Sequence, residues 1–397
     1  MQDTPVVFLA GARQTGKSTL ANSLAENETK AQYITLDDYN MLSAAQNDPQ
    51  GFLAGLPERV VIDEVQRTPK LILAIKADVD RNRKPGRFFL TGSANVLTIP
   101  NIADSLAGRM DIQILRPLSQ GEIAGRKETF IDALFSDKLP KLTSKPINRN
   151  ELQKTAIAGG YPEVRQRKTS QRRQAWYRNY ITTIIHRDIR DISNINGLTQ
   201  IPDILNILAT RCANLLNYAD LASSLQIPQT SLKRYMSLLE SIFLIYRVKP
   251  WNVNLGSRLS KSPKVYLNDT GLISFLTGAD EQRMNTDNIL AGSIIENFVV
   301  NELFKQVAWS KTCPELFHFR THSGYEVDVI LENTQGKCVA IEVKSSATVS
   351  SHDVKNIRYL KNEIKDRFIR GVVLYTGVNI VPFDKNIHAL PVNTLWS

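Results

Sequence analysis

Cysteine is scarce in this 397-residue chain: Cys212, Cys313 and Cys338 are all it has, and they stand far apart. An odd, scattered set excludes a disulfide framework and a Cys-x-x-Cys metal site. Small buried thiols in a reducing compartment are the expected use. Long apolar runs are missing too. Nothing approaches the roughly twenty apolar residues that cross a bilayer. The opening Met1-Gln-Asp-Thr-Pro5 has no basic segment and runs straight into Val6-Val-Phe-Leu-Ala10, so no signal peptide is expected. A cytoplasmic protein with no membrane partner follows. Acid is the minority charge: 39 Asp and Glu against 49 Lys and Arg give a formal +10. That excess favours a polyanionic partner such as nucleic acid, but many basic proteins have none. Internal repeats and low-complexity segments are absent from the sequence.

An apolar content of 42% with 22% charged residues is that of a globular protein, and the length suits two or three domains. Residues 1–118 alternate short apolar runs with helix-like stretches. The runs Val6–Ala10, Tyr33–Leu36, Val60–Ile62, Phe88–Leu90 and Ile112–Leu115 predict an α/β, mostly parallel sheet. Residues 119–205 read as helical, with a loop at Gly159-Gly160-Tyr161-Pro162. Within them 165–191 carry eight Lys or Arg and two Asp, interleaved with Trp176, Tyr177 and Tyr180. Residues 206–252 have the rhythm of a winged helix-turn-helix: helix Tyr218–Leu225, turn at Gln226-Ile-Pro228, helix Thr230–Ile242, strand Phe243–Val248. Residues 253–397 predict a last α/β unit, with helix Ser293–Gln306 and strands Leu316–Arg320, Glu326–Glu332, Val339–Lys344 and Gly371–Tyr375.

The sharpest motif is Gly11-Ala12-Arg13-Gln14-Thr15-Gly16-Lys17-Ser18, followed by Thr19. It fits G-x-x-x-x-G-K-[ST] and lies between a strand and a helix, the setting of a P-loop. Glycines let backbone amides approach phosphate oxygens, and the helix N-terminus adds partial positive charge. ATP and Mg²⁺ are the expected cofactors. Lys17 is suited to the β- and γ-phosphates and Ser18 to the metal. Val60-Val-Ile-Asp63-Glu64 is a buried strand ending in two acids, where open α/β sheets bind ligands. Asp63 is suited to Mg²⁺ and Glu64 to polarising the attacking water. Ser93 or Thr91, ending the next such strand, is placed to position that water; an ordinary turn explains them equally. Arg109, before the fifth strand, reads as a transition-state cation in cis or from a neighbouring subunit, or as a surface ion pair. The in-trans role requires a homo-oligomer.

These residues together, with Asp63-Glu-Val-Gln66, Leu90-Thr-Gly-Ser93, Ala107-Gly-Arg109, Gly159-Gly-Tyr-Pro-Glu163, His186-Arg-Asp188 and Glu326-Val-Asp328, resemble the prokaryotic AAA-type ATPases whose C-terminal part is a domain of unknown function. The resemblance implies an ATPase core, a helical lid, a winged helix and a nuclease-like end. Such proteins usually carry a helix ahead of the first strand, and here only Met1–Pro5 precede it.

Near the C-terminus, Glu326 and Asp328 alternate with Val327 and Val329, so both acids share one face of a strand. Glu342 and Lys344 repeat the pattern on the next. Clustered carboxylates repel unless a proton or cation intervenes, and a divalent metal is the natural cation. Asp328…Glu342-x-Lys344 resembles the PD-(D/E)xK nucleases, with restriction-endonuclease-like α/β fold. That resemblance implies Mg²⁺ held by Asp328 and Glu342, Lys344 activating water, and Glu296 as the extra helical acid. A salt-bridged face in a domain that only binds is the competing reading. In a DNA reader Thr230, Ser231, Lys233 and Arg234 of the second helix would reach DNA. The basic stretch has the cations for DNA or RNA phosphates, or is a solvated face over core aromatics. The sequence thus predicts an ATPase coupled to a nucleic-acid-handling C-terminal domain. The alternative is a nucleotide-switched DNA-binding or regulatory protein with an inactive nuclease-like fold.

Overall fold

A computed structural model of the chain describes residues 3–93, 108–137, 139, 145–185, 198–254, 258 and 262–397. His186, Asp188 and Ala107, which entered the motifs above, lie outside the described residues. The chain divides into two compact units, one built chiefly on Met1–Pro117 and the other chiefly on Leu118–Ile185 and Ile245–Ser397.

In the first unit β1 (Val6–Ala10), β2 (Gln32–Thr35), β3 (Val60–Asp63), β4 (Phe88–Gly92) and β5 (Met110–Ile114) form one parallel sheet in the order β2-β3-β4-β1-β5. Alternation sorts its side chains. Val6, Phe8, Ile34, Val60, Ile62, Phe88 and Leu90 pack on one face with α2 (Tyr39–Asn47), α3 (Pro49–Ala54) and α4 (Pro69–Arg81). Val7, Leu9, Val61 and Phe89 pack on the other with Ala21 of α1 (Lys17–Leu24). Burial on both faces explains why these strands read as unbroken apolar runs.

The second unit has two sheets among its described residues. β6 (Ile245–Val248) and β7 (Lys264–Leu267) make an antiparallel ribbon. It follows helices Ile201–Thr210, Tyr218–Leu225 and Gln229–Ser241. The ladder pairs residues from both sides of the boundary expected at 252/253, because Val248 meets Lys264 and Ile245 meets Leu267. A mixed six-stranded sheet, ordered β12-β13-β11-β10-β9-β8, comes from β8 (Glu315–Arg320), β9 (Glu326–Glu332), β10 (Cys338–Lys344), β11 (Phe368–Tyr375), β12 (Val381–Asp384) and β13 (Ile387–Pro391). Helix Lys355–Ile364 covers one face, with Ile357 and Leu360 in a core shared by Trp251, Phe317, Ile330 and Val373.

Gly159-Gly160-Tyr161-Pro162 is built around a buried acid. Asp269 caps helix Thr270–Thr277 through the Leu272 amide and accepts from the Gly160 N–H and the Tyr177 hydroxyl, both at 2.6 Å. At Gly159 (φ +71°) a Cβ would stand 2.5 Å from both Asp269 Oδ1 and the Tyr177 hydroxyl, so glycine is required.

Candidate functional site

β1 ends at Ala10 and the chain turns at once. Gly11 has φ +154°, and a Cβ there would meet the Leu115 carbonyl oxygen at 2.2 Å. Gln14 and Gly16 also take positive φ, 61° and 98°. Such bends curl a loop into an anion-binding nest. Gly16 caps α1 with no side-chain hydrogen bond, so the first-turn amides are not taken by a side-chain cap. Lys17 is buried, with Nζ donating to the Gly11 and Ala12 carbonyl oxygens at 2.9 and 2.8 Å. Thr15 Oγ1 donates to the Ala12 carbonyl at 2.9 Å. Arg13 is half-buried, while Ser18 and Thr19 are exposed at the loop's mouth.

Asp63 lies buried at the end of β3. The Tyr33 hydroxyl donates to its Oδ2 at 2.8 Å, and the Thr91 hydroxyl donates to its Oδ1. Burial and the bond to Asp63 push the Tyr33 phenol well above its ordinary range, and the Ser18 hydroxyl meets the same phenol. Thus Ser18 and Asp63 converge around Tyr33, a hydroxyl and a carboxylate of the hard-oxygen kind that Mg²⁺ takes. The donor set fits that ion.

Glu64 follows in a left-handed conformation (φ 59°). Its amide donates to Thr91 Oγ1 at 3.2 Å, so one threonine ties down both acids. The Gln66 amide donates to the Glu64 carboxylate and to Ser93 Oγ, the latter at 3.1 Å. Tyr33 and Gln66 were given no role in the sequence reading. Gln66 carried a signal, its place two residues after Glu64; Tyr33 carried none.

Arg109 stands apart. Its carbonyl oxygen accepts from Val6 N–H at 3.3 Å, level with the start of β1. The P-loop leaves the opposite end of that strand, five residues on. Strands rise about 3.3 Å per residue, so a cis role at the phosphates does not fit. Arg109 pairs instead with Asp80.

In the second unit Glu296, Glu326 and Asp328 do come together, around a residue that sequence reasoning missed. Lys264 of β7 is 2% exposed, and its Nζ lies 2.9 Å from Glu296, 2.8 Å from Glu326 and 3.2 Å from Asp328. Burial works against its charge, but Tyr266, Asp328, Glu296 and Glu326 outweigh it and hold the ammonium well above the ordinary lysine value. The Tyr266 hydroxyl donates to Glu296 at 2.8 Å. The β9–β10 ladder stops at Val329 opposite Ile341, and Asp328 Oδ2 takes the next amide, Val343 N–H, at 2.9 Å. Lys344 Nζ donates to Glu342 Oε1 at 2.8 Å. Burial, then Asp328, pushes Glu296 up to about 7 and raises Glu342 well above the carboxylate range. Among the described residues, no group of three or more His, Cys, Asp and Glu is disposed to hold a metal ion. Of the acids named for Mg²⁺, Glu296 and Asp328 face the Lys264 ammonium and Glu342 faces that of Lys344.

Beside this cluster Leu215, Pro250, Ser262, His318, Arg320, Thr321 and His322 line a pocket of about 310 Å³. His318 is buried, its Nε2 against the Ser262 carbonyl at 3.2 Å. Burial and then Lys264 depress it from 6.5 to about 4. The unfolded chain therefore takes up the proton first. This stabilisation is complete above pH 6.5 and is lost as pH falls toward 4. Against a His318→Gln protein, the wild type should lose roughly 2 to 3 kcal/mol more between pH 7 and pH 4.5. Urea unfolding at both pH values measures it; equal losses in the two proteins would refute the assignment.

The basic stretch resolves into two sides. On helix Ser170–Ile184, Trp176, Tyr177 and Tyr180 are buried against Tyr161, with Trp176 and Tyr180 stacked at 4.8 Å. They are core, not a stacking platform for bases. Arg165, Lys168, Arg172 and Arg178 stay exposed, while Arg167 and Arg173 are half-buried. On helix Gln229–Ser241, Thr230, Lys233 and Arg234 are exposed, Ser231 is half-buried, and Leu232, Tyr235, Leu238 and Leu239 are buried.

Residues 3–124 match a family model described as an AAA domain. Residues 149–283 and 291–395 match two described as domains of unknown function, DUF8612 and DUF4143. An uncharacterized protein of Mycobacterium tuberculosis is 28% identical over 393 residues, 98% of this chain and 81% of that one. One of Methanocaldococcus jannaschii is 21% identical over 413 residues, 98% and 87%. Among solved structures, the Thermotoga maritima RuvB Holliday junction branch migration motor overlaps 62% of this chain and 82% of its own, at 18% identity and a TM-score of 0.24. Drosophila ORC bound to AT-rich DNA and Cdc6 overlaps 68% and 84%, at 11% and 0.18. These last two likenesses are loose. The first unit thus carries a P-loop, and nearly all of its Met1–Pro117 part falls within the stretch that matches the AAA domain. Among the described residues no helix is long and apolar enough to cross a membrane.

Proposed function

We propose that the first unit hydrolyses ATP with Mg²⁺ and that turnover drives nucleic-acid handling by the second. The observation that carries the first half is the meeting of P-loop, Asp63 and Glu64 at one edge of the sheet. The loop amides and Lys17 bind the β- and γ-phosphates. Ser18 and Asp63 hold Mg²⁺, which neutralises phosphate charge when bound. Thr91 fixes Asp63 by its side chain and Glu64 by its backbone. Glu64 takes the proton of the attacking water, with its carboxylate aimed by Gln66 and Ser93. Measuring nucleotide binding and Mg²⁺-dependent turnover on one protein tests this, with the variants argued below.

Arg109 supports a second step of the reading. A cation at this end of the sheet would act on phosphates only from a neighbouring subunit, in a homo-oligomer. Turnover per chain should then rise with protein concentration. Arg109→Ala should stay down on the order of a thousandfold at every concentration. A concentration-independent wild-type rate leaves Arg109 a structural residue, paired with Asp80.

For the second unit, support comes from the formal charge of +10 and from the exposed cations of helices Ser170–Ile184 and Gln229–Ser241. The three helices followed by the β6–β7 ribbon have the element order of a winged helix. The mixed sheet carrying Asp328 and Glu342-x-Lys344 is what a nuclease-like fold would use. Of cutting and holding nucleic acid, the position of Lys264 favours holding.

A further inference from the structure

We infer that Lys264 is the resident cation of the C-terminal carboxylate cluster, in the place where a divalent metal would stand, so the cluster takes no Mg²⁺ and the domain cuts nothing through it. The inference is independent of the nucleotide site, whose metal rests on Ser18 and Asp63.

The geometry is that of an ammonium. Its three oxygens lie 2.8, 2.9 and 3.2 Å from Nζ. Those are hydrogen-bond lengths, and a lysine has three donors to fill them. Mg²⁺ needs oxygens at about 2.0–2.1 Å in an octahedron. The same three carboxylates cannot close to that distance while Nζ lies between them. Nor is Lys264 placed to swing away. Its backbone is fixed on both sides, paired with Val248 across the β6–β7 ribbon and bridged to Leu215. Its stem is buried, so leaving would expose a hole lined by acids.

Two of the remaining carboxylate oxygens also have donors. Asp328 turns its second oxygen to the Val343 amide and Glu326 its second to Arg320 at 3.1 Å, while Glu296 accepts from Lys264 and Tyr266 on the same Oε1. Glu342 bonds Lys344 through one oxygen, and its Oε2 is buried without a partner. One unsatisfied oxygen on one acid is not a coordination sphere. Two fixed ammoniums, Lys264 and Lys344, already stand among four carboxylates.

Removing the internal cation should therefore create the metal site that the acids alone would have made. Lys264→Met keeps the length of the stem and deletes the charge. Mn²⁺ serves as the probe, because its binding is read by electron paramagnetic resonance and calorimetry without any activity. Nucleotide-free wild type and Asp328→Asn should titrate alike with Mn²⁺ into the millimolar range. Lys264→Met should gain about one Mn²⁺ per chain, and millimolar Mn²⁺ should raise its melting temperature by several degrees. Adding Asp328→Asn to Lys264→Met should remove both gains. Mn²⁺ binding by wild type that disappears in Asp328→Asn would overturn the inference. So would a folded Lys264→Met protein with no response to Mn²⁺. If Lys264→Met does not fold, the comparison of wild type with Asp328→Asn decides alone.

Discussion

Lys17→Ala should lose ATP binding, and Glu64→Gln should keep binding while turnover falls by a factor on the order of a thousand. The first substitution removes the one cation that the P-loop holds buried against its own carbonyls, at Gly11 and Ala12. The loop's backbone bends remain, but the β- and γ-phosphates then meet only amide dipoles. The second substitution is nearly isosteric. An amide accepts the Gln66 bond poorly and cannot take a proton from water, and loss of a general base costs about 10² to 10⁴ in rate. Equilibrium binding of a fluorescent nucleotide and phosphate release, measured on both variants, separate the two effects. Full turnover in Glu64→Gln would remove Glu64 from the chemistry and leave it as a turn residue beside Thr91.

Asp269→Ala should cost the second unit about 3 to 5 kcal/mol, because each buried donor left unsatisfied costs about 1 to 3 kcal/mol. Three donors converge on that carboxylate: the Gly160 amide, the Tyr177 hydroxyl and the Leu272 amide. Ala strands all of them and leaves helix Thr270–Thr277 uncapped. Asp269→Asn keeps the cap and the volume but must turn one N–H toward a donor, so it should fall between wild type and Ala. Denaturant unfolding of the two variants gives the order. If Ala costs only the ~1 kcal/mol of an ordinary lost cap, the network around Gly159-Gly160 is not cooperative.

The parts of the molecule that sequence made legible are those decided locally. The β1 run Val6–Ala10 is buried on both faces, so it announces itself as continuous apolar chain, and the P-loop follows because its phosphate chemistry is written in consecutive residues. Helix Tyr218–Leu225 and strand Glu326–Glu332 also stand where periodicity put them. β7 escaped notice for the opposite reason. It is four residues long, opens after Pro263, and begins with a lysine, a residue expected in solvent. What buries Lys264 is supplied by Glu296, Glu326 and Asp328, 32 to 64 residues away. No window of sequence contains that compensation. Tyr33 was invisible in the same way, since its bond to Asp63 spans thirty residues. For the basic stretch 165–191 the sequence left phosphate contact and a solvated face over core aromatics both open. The spacing of the aromatics at 176, 177 and 180 is that of one helix face, and that face is core.

The β6–β7 ribbon has a bearing on how far the C-terminal half is modular. Lys264 and Tyr266 reach the acids from a strand hydrogen-bonded to Ile245–Val248, upstream of every strand of the mixed sheet. A cut anywhere between 268 and 295 separates that ammonium from Glu296, Glu326 and Asp328, and leaves three carboxylates crowded in apolar surroundings. The buried acid cluster of the last hundred residues therefore takes its central counter-ion from the segment before them. Recombination or gene fission at such a seam would have to exchange the lysine and its acids together.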